Sequence, residues 1–302
     1  MSEKTEAIQK QLTQAIIDQL ENNPEQWTKP WQGSGRMPNN PQSGTIYSGG
    51  NAMLLMWLSP DPSDSRWSTY KGWQKLGANV RKGETGTPII YYSNSFLCQT
   101  CGKWSQKGCP RHAGEDKKVF LARTYSVFHA SQVDDAPEYV QPEPSPDIDV
   151  EVYRRWFKSL GADWRETPSD RAFYSPSGDY ISTPEDKQFE GSAEWFGVVS
   201  HEFTHWTGAA SRLNRKEENN GERTGYAFEE LVAELGAVFL SNAHGVSTTP
   251  RKDHASYIAS WLRALQGDHK FVWDAASKAS KAFKYLTDNA DKIPSPEMEK
   301  QQ

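Results

Sequence analysis

His201-Glu202-Phe203-Thr204-His205 sets two imidazoles four residues apart, with a carboxylate beside the first. Residues four apart share a helix face, so both rings can grip one metal ion while Glu202 reaches a water held by that ion. This is the chemistry of a zinc hydrolase. Five positions with three fixed letters also occur by chance on amphipathic surface helices, so the flanks carry weight. Gly191-Ser192 supplies an N-cap and Glu194 sits in the first turn. Trp195, Phe196, Val199 and Phe203 recur at helical spacing until Gly208 offers a stop. The pattern predicts a buried helix, in which His201, Glu202 and His205 would each need a partner.

Two histidines leave the ion short of a third protein ligand. The apolar helix predicted from Tyr226 to Leu240 carries three carboxylates, Glu229, Glu230 and Glu234. Glu229 falls beside Ala233 and Gly236, small residues that would let this helix approach the motif helix closely, and is the preferred third ligand. Glu230 is the alternative, with Glu234 four residues on as the partner of a ligating histidine. Carboxylates that do not ligate would form a solvated stripe or salt bridges. The ion, zinc or another divalent metal, would act as a Lewis acid, with Glu202 as general base and then proton donor. Tyr226 is a candidate oxyanion donor, with a buried structural role the alternative, and His244 a candidate auxiliary group.

At 302 residues, with 36% apolar residues and 12 tryptophans, the chain can fill two cores. No stretch approaches a membrane span, the polar start Met1 to Lys10 is no signal peptide, and three clustered cysteines argue against a secreted disulfide framework. The expectation is a cytoplasmic protein without a membrane partner. An acidic, proline-rich segment at 133–150 reads as a linker between an N-terminal domain, 1–132, and a C-terminal domain, 151–290, with 291–302 a flexible tail. Residues 1 to 130 hold 15 Lys and Arg against 10 Asp and Glu. The remainder holds 19 against 29, so the overall charge of -5 conceals halves of opposite sign.

The basic half opens with an amphipathic helix over residues 3 to 22, with Ile8, Leu12, Ile16, Ile17 and Leu20 on one side. Helices near Asn51 to Leu58 and Thr69 to Leu76 and strands at Pro88 to Tyr92 and Val119 to Phe128 complete an α+β module. It interleaves Trp27, Trp31, Tyr47, Trp57, Trp67, Tyr70, Trp73 and Trp104 with cations that include Lys75, Arg81 and Lys82. Aromatics along a basic groove hold single-stranded nucleic acid by base stacking, although any one of them is more often a core residue. Cys98, Cys101, Cys109 and His112, spaced C-x2-C-x7-C-x2-H, read as a possible structural zinc knuckle at 98–112. The alternative is inert surface thiols.

Several stretches together resemble a known family. They are Trp27-Thr28-Lys29-Pro30-Trp31, Tyr47-Ser48-Gly49-Gly50-Asn51, Trp67-Ser68-Thr69-Tyr70, Trp73 and Gly77 to Glu84 in the first half. In the second they are Ala172 to Pro176, His201 to Gly208, Arg212-Leu213-Asn214-Arg215 and Glu229 to Gly236. The family is the ArdC-type antirestriction proteins of conjugative plasmids, whose N-terminal part is shared with TraC-type primases. The resemblance implies an α+β single-stranded-DNA-binding domain joined to a mainly helical, zincin-like metallopeptidase domain, protecting incoming plasmid DNA from restriction. The cysteine cluster looks like an insertion in the family's strand hairpin. Two expectations follow: a peptidase directed to a DNA-bound host protein, or a protein that shields single-stranded DNA and carries a structural or vestigial metal site. The stretch Ala172 to Ile181 reads as a strand beside the cleft, structural or able to pair with an extended peptide.

Overall fold

A computed structural model describes residues 3–22, 36–105, 107–112, 116–139, 145–215, 223–247 and 265–292. The expectations for Trp27 and Trp31, and for the tail beyond residue 292, lie outside the described residues. Helix α1 (Glu3–Asn22) buries Ile8, Leu12, Ile16 and Ile17, the stripe its spacing marks out. A short hairpin, β1 (Asn39–Asn40) and β2 (Thr45–Ile46), leads into α2 (Gly49–Trp57), whose Ala52 to Leu55 are all buried. Then follow β3 (Trp67–Thr69), α3 (Tyr70–Lys75), β4 (Asn79–Val80), β5 (Thr87–Cys98), β6 (Trp104–Ser105), β7 (Asp116–His129) and β8 (Val133–Asp134). The main sheet has the order β3-β7-β5-β6, while β4 pairs with β8.

The β5–β7 ribbon is far longer than the two strands expected, running in register from Thr87↔Val127 to Cys98↔Asp116. The polar Ser93-Asn94-Ser95 reads as a strand end in sequence because the ribbon there leaves the core and loses the apolar signal. Only its inner end is packed, with Ile90 in the helical core and Ile89 and Val127 against Leu55 and Trp67.

The second half opens with α4 (Val150–Ser159), capped by Asp149, whose Oδ1 accepts from the N–H groups of Glu151 and Val152 at 2.9 and 3.2 Å. Strands β9 (Asp163–Thr167), β10 (Phe173–Ser175) and β11 (Tyr180–Pro184) form a sheet ordered β10-β11-β9, with β11 parallel to β9 and antiparallel to β10. Helices α5 (Ser192–Trp206), α6 (Arg223–His244) and α7 (Phe271–Asn289) follow among the described residues. This half is therefore helices packed on a small mixed sheet, and the whole is an α+β, two-part molecule.

The two halves are not separate bodies. One cluster joins Leu12 and Ile16 of α1 and Met53 of α2 to Leu231 and Leu235 of α6 and Trp273 of α7. A Cβ at Gly50 would fall inside the indole of Trp273, so α2 and α7 meet where a side chain is absent. The described parts of the expected linker are tied down as well. Val133–Asp134 pairs with Asn79–Val80, Ser145 bridges to Val246, and the Tyr139 ring lies 4.4 Å under the Arg66 guanidinium. Acidic, proline-rich composition marks a poor element, but proline removes donors without preventing packing. Among the described residues no helix is long and apolar enough to cross a membrane.

Candidate functional site

Helix α5 presents His201, Glu202 and His205, all on a helix whose Trp195, Phe196, Val199 and Phe203 are fully buried. Helix α6 crosses it at a point of small side chains. A Cβ at Gly236 would lie 2.5 Å from Thr204 Cγ2, closer than any real contact, so the two backbones approach because Gly236 has none. Thr204, itself buried, anchors its hydroxyl on the Ser200 carbonyl at 2.8 Å.

That approach brings the α6 carboxylates against the two rings. The Nε2 atoms of His201 and His205 are 3.1 Å apart, and the two oxygens of Glu230 lie 3.5 Å from one each. The Nδ1 atoms face the flanking carboxylates, Glu234 at 3.1 Å from His201 and Glu229 at 3.3 Å from His205. A neutral imidazole that gives its Nδ1 proton to a carboxylate presents a lone pair at Nε2. Two such lone pairs and a carboxylate aimed at one small volume repel each other unless a cation lies between them. Nitrogen ligands at about 2.0–2.1 Å from a tetrahedral ion stand roughly 3.3–3.4 Å apart, and the observed 3.1 and 3.5 Å bracket that edge. The residues therefore fit a divalent ion held by His201, His205 and Glu230.

Glu229, the preferred ligand on sequence grounds, is turned elsewhere. It receives Arg215 through Nη2–Oε1 at 2.7 Å and Nε–Oε2 at 3.2 Å, and meets His205 on its far nitrogen. Arg215 also donates to Thr207 Oγ1 and the Thr204 carbonyl, both at 2.6 Å, which fixes it to the end of α5. Sequence reasoning did not give Arg215 a role, and only its charge could have suggested one. Glu230 and Glu234 occupy the places of the rival reading. Without an ion the pocket draws protons instead. Burial opposes a charge on His205, but hydrogen bonds to Glu229 and Glu230 outweigh it and raise its pKa to about 10. Burial likewise opposes the charge on His201, and Glu234 with Glu230 overrides it. Glu229 and Glu230 are lowered despite burial, by His205 with Arg215 and by both histidines respectively.

Glu202 is 3% exposed, and its charge is among those that raise His205. Tyr226, one turn before Glu230, is 56% exposed and so is not the buried structural residue of the alternative reading. His244 lies among the rings of Tyr153, Trp156 and Phe196, with centroids 5.2–5.8 Å away, as part of an aromatic cluster. The β10–β11 hairpin is fastened beside α5 by Arg212, which bonds Asp179, Tyr174 Oη at 3.3 Å and the Trp206 carbonyl at 2.6 Å.

The nucleic-acid residues divide differently from expectation. Trp67 and Trp73 are 1% and 0% exposed, and the Trp73 indole donates to the Phe128 carbonyl at 2.9 Å, so neither ring can stack on a base. Tyr47 is half-buried, its hydroxyl on the Trp67 carbonyl at 3.1 Å, at a cleft of about 470 Å³ that Lys281 and Lys284 also line. Arg81 is engaged by Glu84, Asp134 and the carbonyls of Ser131 and Val133. Tyr70, Lys75 and Lys82 are exposed. Besides Tyr70, the exposed aromatics of this half lie on the ribbon among the described residues. The register puts Tyr91 opposite Arg123, Tyr125 opposite Ile89, and Trp104 in line with Leu97 and Lys117, all on one face. Tyr91, Tyr125 and Trp104 are 54%, 42% and 55% exposed, and Tyr91 and Tyr125 meet edge to face at 6.0 Å. Trp104 is among the aromatics the sequence singles out, whereas Tyr91 and Tyr125 are not, because tyrosines inside apolar runs read as strand core. At the ribbon's outer end Cys98, Cys101, Cys109 and His112 come together.

Comparison with known proteins follows the same division. Residues 6–128 match the N-terminal domain of anti-restriction factor ArdC, and residues 151–278 match a zincin-like metallopeptidase family. The metal-free crystal structure of antirestriction ArdC protein from plasmid R388 superposes with a TM-score of 0.75 at 32% identity, covering 93% of this chain and 97% of that one. The Mn(II)-bound structure of that protein gives 0.74 at 34% identity, covering 95% and 99%. DNA primase TraC of Escherichia coli is 37% identical over 287 residues, 91% of this chain but 19% of the primase. The chain thus spans about a fifth of that relative's length. Uncharacterized protein y4eC of Sinorhizobium fredii is 33% identical, with 92% of this chain and 91% of that protein aligned.

Proposed function

This chain belongs to the ArdC family of antirestriction proteins, and from that premise we propose that it binds single-stranded DNA on the exposed face of the β5–β7 ribbon and carries a metal-dependent, peptidase-type centre between α5 and α6. Together these would protect incoming plasmid DNA from restriction during conjugation. The observation that carries the metal reading is the convergence of His201, His205 and Glu230 with the buried Glu202 beside them.

The chemistry divides among the chain's own residues. His201, His205 and Glu230 would hold the ion, which when bound would supply Lewis acidity and lower the pKa of water. Glu234 and Glu229 fix the ring orientations, and Arg215 fixes Glu229. Glu202 takes the proton of the attacking water and returns it to the leaving amine. The edge of β10 away from β11 offers backbone groups to an extended peptide. On the ribbon, Tyr91, Tyr125 and Trp104 stack unpaired bases while Arg123 and Lys117 neutralise phosphates, which favours single strands over duplex and makes binding weaken with salt.

A second reading, a metalloprotease directed by DNA to a DNA-bound host protein, is favoured by the presence of Glu202, a base that a structural metal site does not need. Plasmid transfer into a restricting host separates the two. If shielding suffices, Glu202→Gln protects like wild type, whereas the double change Tyr91→Ala, Tyr125→Ala loses protection together with single-strand affinity, by roughly 1–3 kcal/mol per ring. If proteolysis is the activity, Glu202→Gln abolishes protection with DNA binding intact. Full protection by a folded variant that no longer binds DNA would refute the shielding role.

A further inference from the structure

The outer ribbon is a long excursion without a core of its own. No residue between Ser93 and Leu121 belongs to any of the hydrophobic clusters among the described residues. Its end is nonetheless tightly built. Cys98 donates its N–H to the Lys103 carbonyl at 3.0 Å and accepts from Gly102 at 2.9 Å, closing a turn in which Gly102 has φ +66°. The Cys101 N–H points at Cys98 Sγ, 3.5 Å away. Before the second turn Gly108 has φ +90°, and the Cys109 N–H donates to Asp116 Oδ2 at 2.9 Å, tying that turn to the start of β7.

These turns set Cys101 Sγ 3.8 Å from Cys109 Sγ, and His112 Nδ1 3.5 and 3.6 Å from the sulfurs of Cys98 and Cys109. With Zn–S about 2.3 Å and Zn–N about 2.0–2.1 Å, a tetrahedral zinc ion has S–S edges of roughly 3.8 Å and S–N edges of roughly 3.6 Å. The one S–S and two S–N distances above match those edges, and all four ligand atoms lie within 4.8 Å of one another. A disulfide needs sulfurs about 2.05 Å apart and uses cysteines in pairs, and here there are three. We propose that Cys98, Cys101, Cys109 and His112 bind a zinc ion, separate from the ion on α5 and α6, which acts as the missing core of the ribbon's outer end. Four protein ligands close the site, so its role is structural. The ion pins Cys98 at the end of β5 to Cys109 and His112 on the approach to β7. It thereby holds β6 and the exposed Trp104 in line with Lys117. That this end then forms part of a DNA-binding face rests on the reading proposed above; the zinc assignment does not.

Metal content of the full-length protein tests the proposal without any DNA. Wild type is expected to carry one zinc more than the double change Cys98→Ser, Cys109→Ser. The double change His201→Ala, His205→Ala keeps the thiolate-bound ion, visible after cobalt substitution as a sulfur-to-cobalt charge-transfer band. His112→Cys, which offers a fourth thiolate, should keep it too. In native wild type the thiols should react with a disulfide reagent at least ten-fold more slowly before strong chelation than after. Equal metal content in wild type and the cysteine variant would overturn the proposal. So would three thiols that react at once in folded, unchelated wild type, a result that stands even if a variant fails to fold.

Discussion

Gly236→Ala is the perturbation that tests most sharply how the metal centre is assembled. At an open helical position this change stabilises by about 1 kcal/mol, because alanine is the better helix former. Here the new methyl would meet Thr204 Oγ1, Cγ2 at 2.5 Å and Cβ at 3.0 Å, whereas ordinary contact begins at 3.4 Å, so something must give by about 1 Å. Thr204 is fully buried, β-branched and hydrogen-bonded to Ser200, which leaves helix separation as the available relief. Overpacking of this kind costs roughly 1–3 kcal/mol against a propensity gain of about 1 kcal/mol, for a net loss of up to about 2 kcal/mol. Metal sites tolerate ligand displacements of only about 0.2 Å, so moving Glu230 by several times that should also lower metal affinity at least about ten-fold. Urea unfolding in the presence of chelator, with metal affinity measured separately by competition, reads both effects. Thr204→Ala should recover part of each loss in the double variant, since it removes Oγ1 and Cγ2. A Gly236→Ala protein that is more stable than wild type, with unchanged metal affinity, would refute the argument.

The carboxylates around the histidines should rank by position: Glu230→Gln largely abolishes metal binding, while Glu229→Gln and Glu234→Gln each weaken it about 10–100-fold. Competition with a calibrated chelator checks the order, and Glu229→Gln as the most damaging of the three would reverse the assignment. His244, buried among rings, has its pKa pushed down to about 4 from 6.5. The folded state thus prefers the neutral ring, and its contribution is fully present above about pH 6.5 and lost as pH falls toward 4, about 3 kcal/mol in all. His244→Phe should lose less stability than wild type between pH 7 and 4, and parallel denaturation curves for the two would contradict this.

Local patterns were readable in the sequence where local physics decides. The helical stripes of α1 and α5 and the proximity of two imidazoles four residues apart depend only on the chain beside them. Glu229 and Glu230 could not be told apart in the same way. They are neighbours about 100° apart on α6, and which of them faces the histidines depends on the helix's rotation, set by the contact between Gly236 and Thr204. Trp67 and Trp73 read as members of a stacking set because aromatics interleaved with cations look alike in a core and on a groove. The sheet and α3 bury them, while Tyr91 and Tyr125 sit where the ribbon turns its face to solvent. The shared core of α1, α2, α6 and α7 joins residues more than 200 positions apart, which no sequence window contains. The acidic segment between the halves therefore looked like a tether.

Anomalous scattering from crystals of the full chain loaded with zinc or manganese tests the metal centre most directly. The account predicts a peak beside α5 bound by His201 Nε2, His205 Nε2 and an oxygen of Glu230 at about 2.0–2.2 Å, with Glu234 and Glu229 on the opposite nitrogens. A peak ligated by Glu229, or no peak while the two histidines remain side by side, would contradict it.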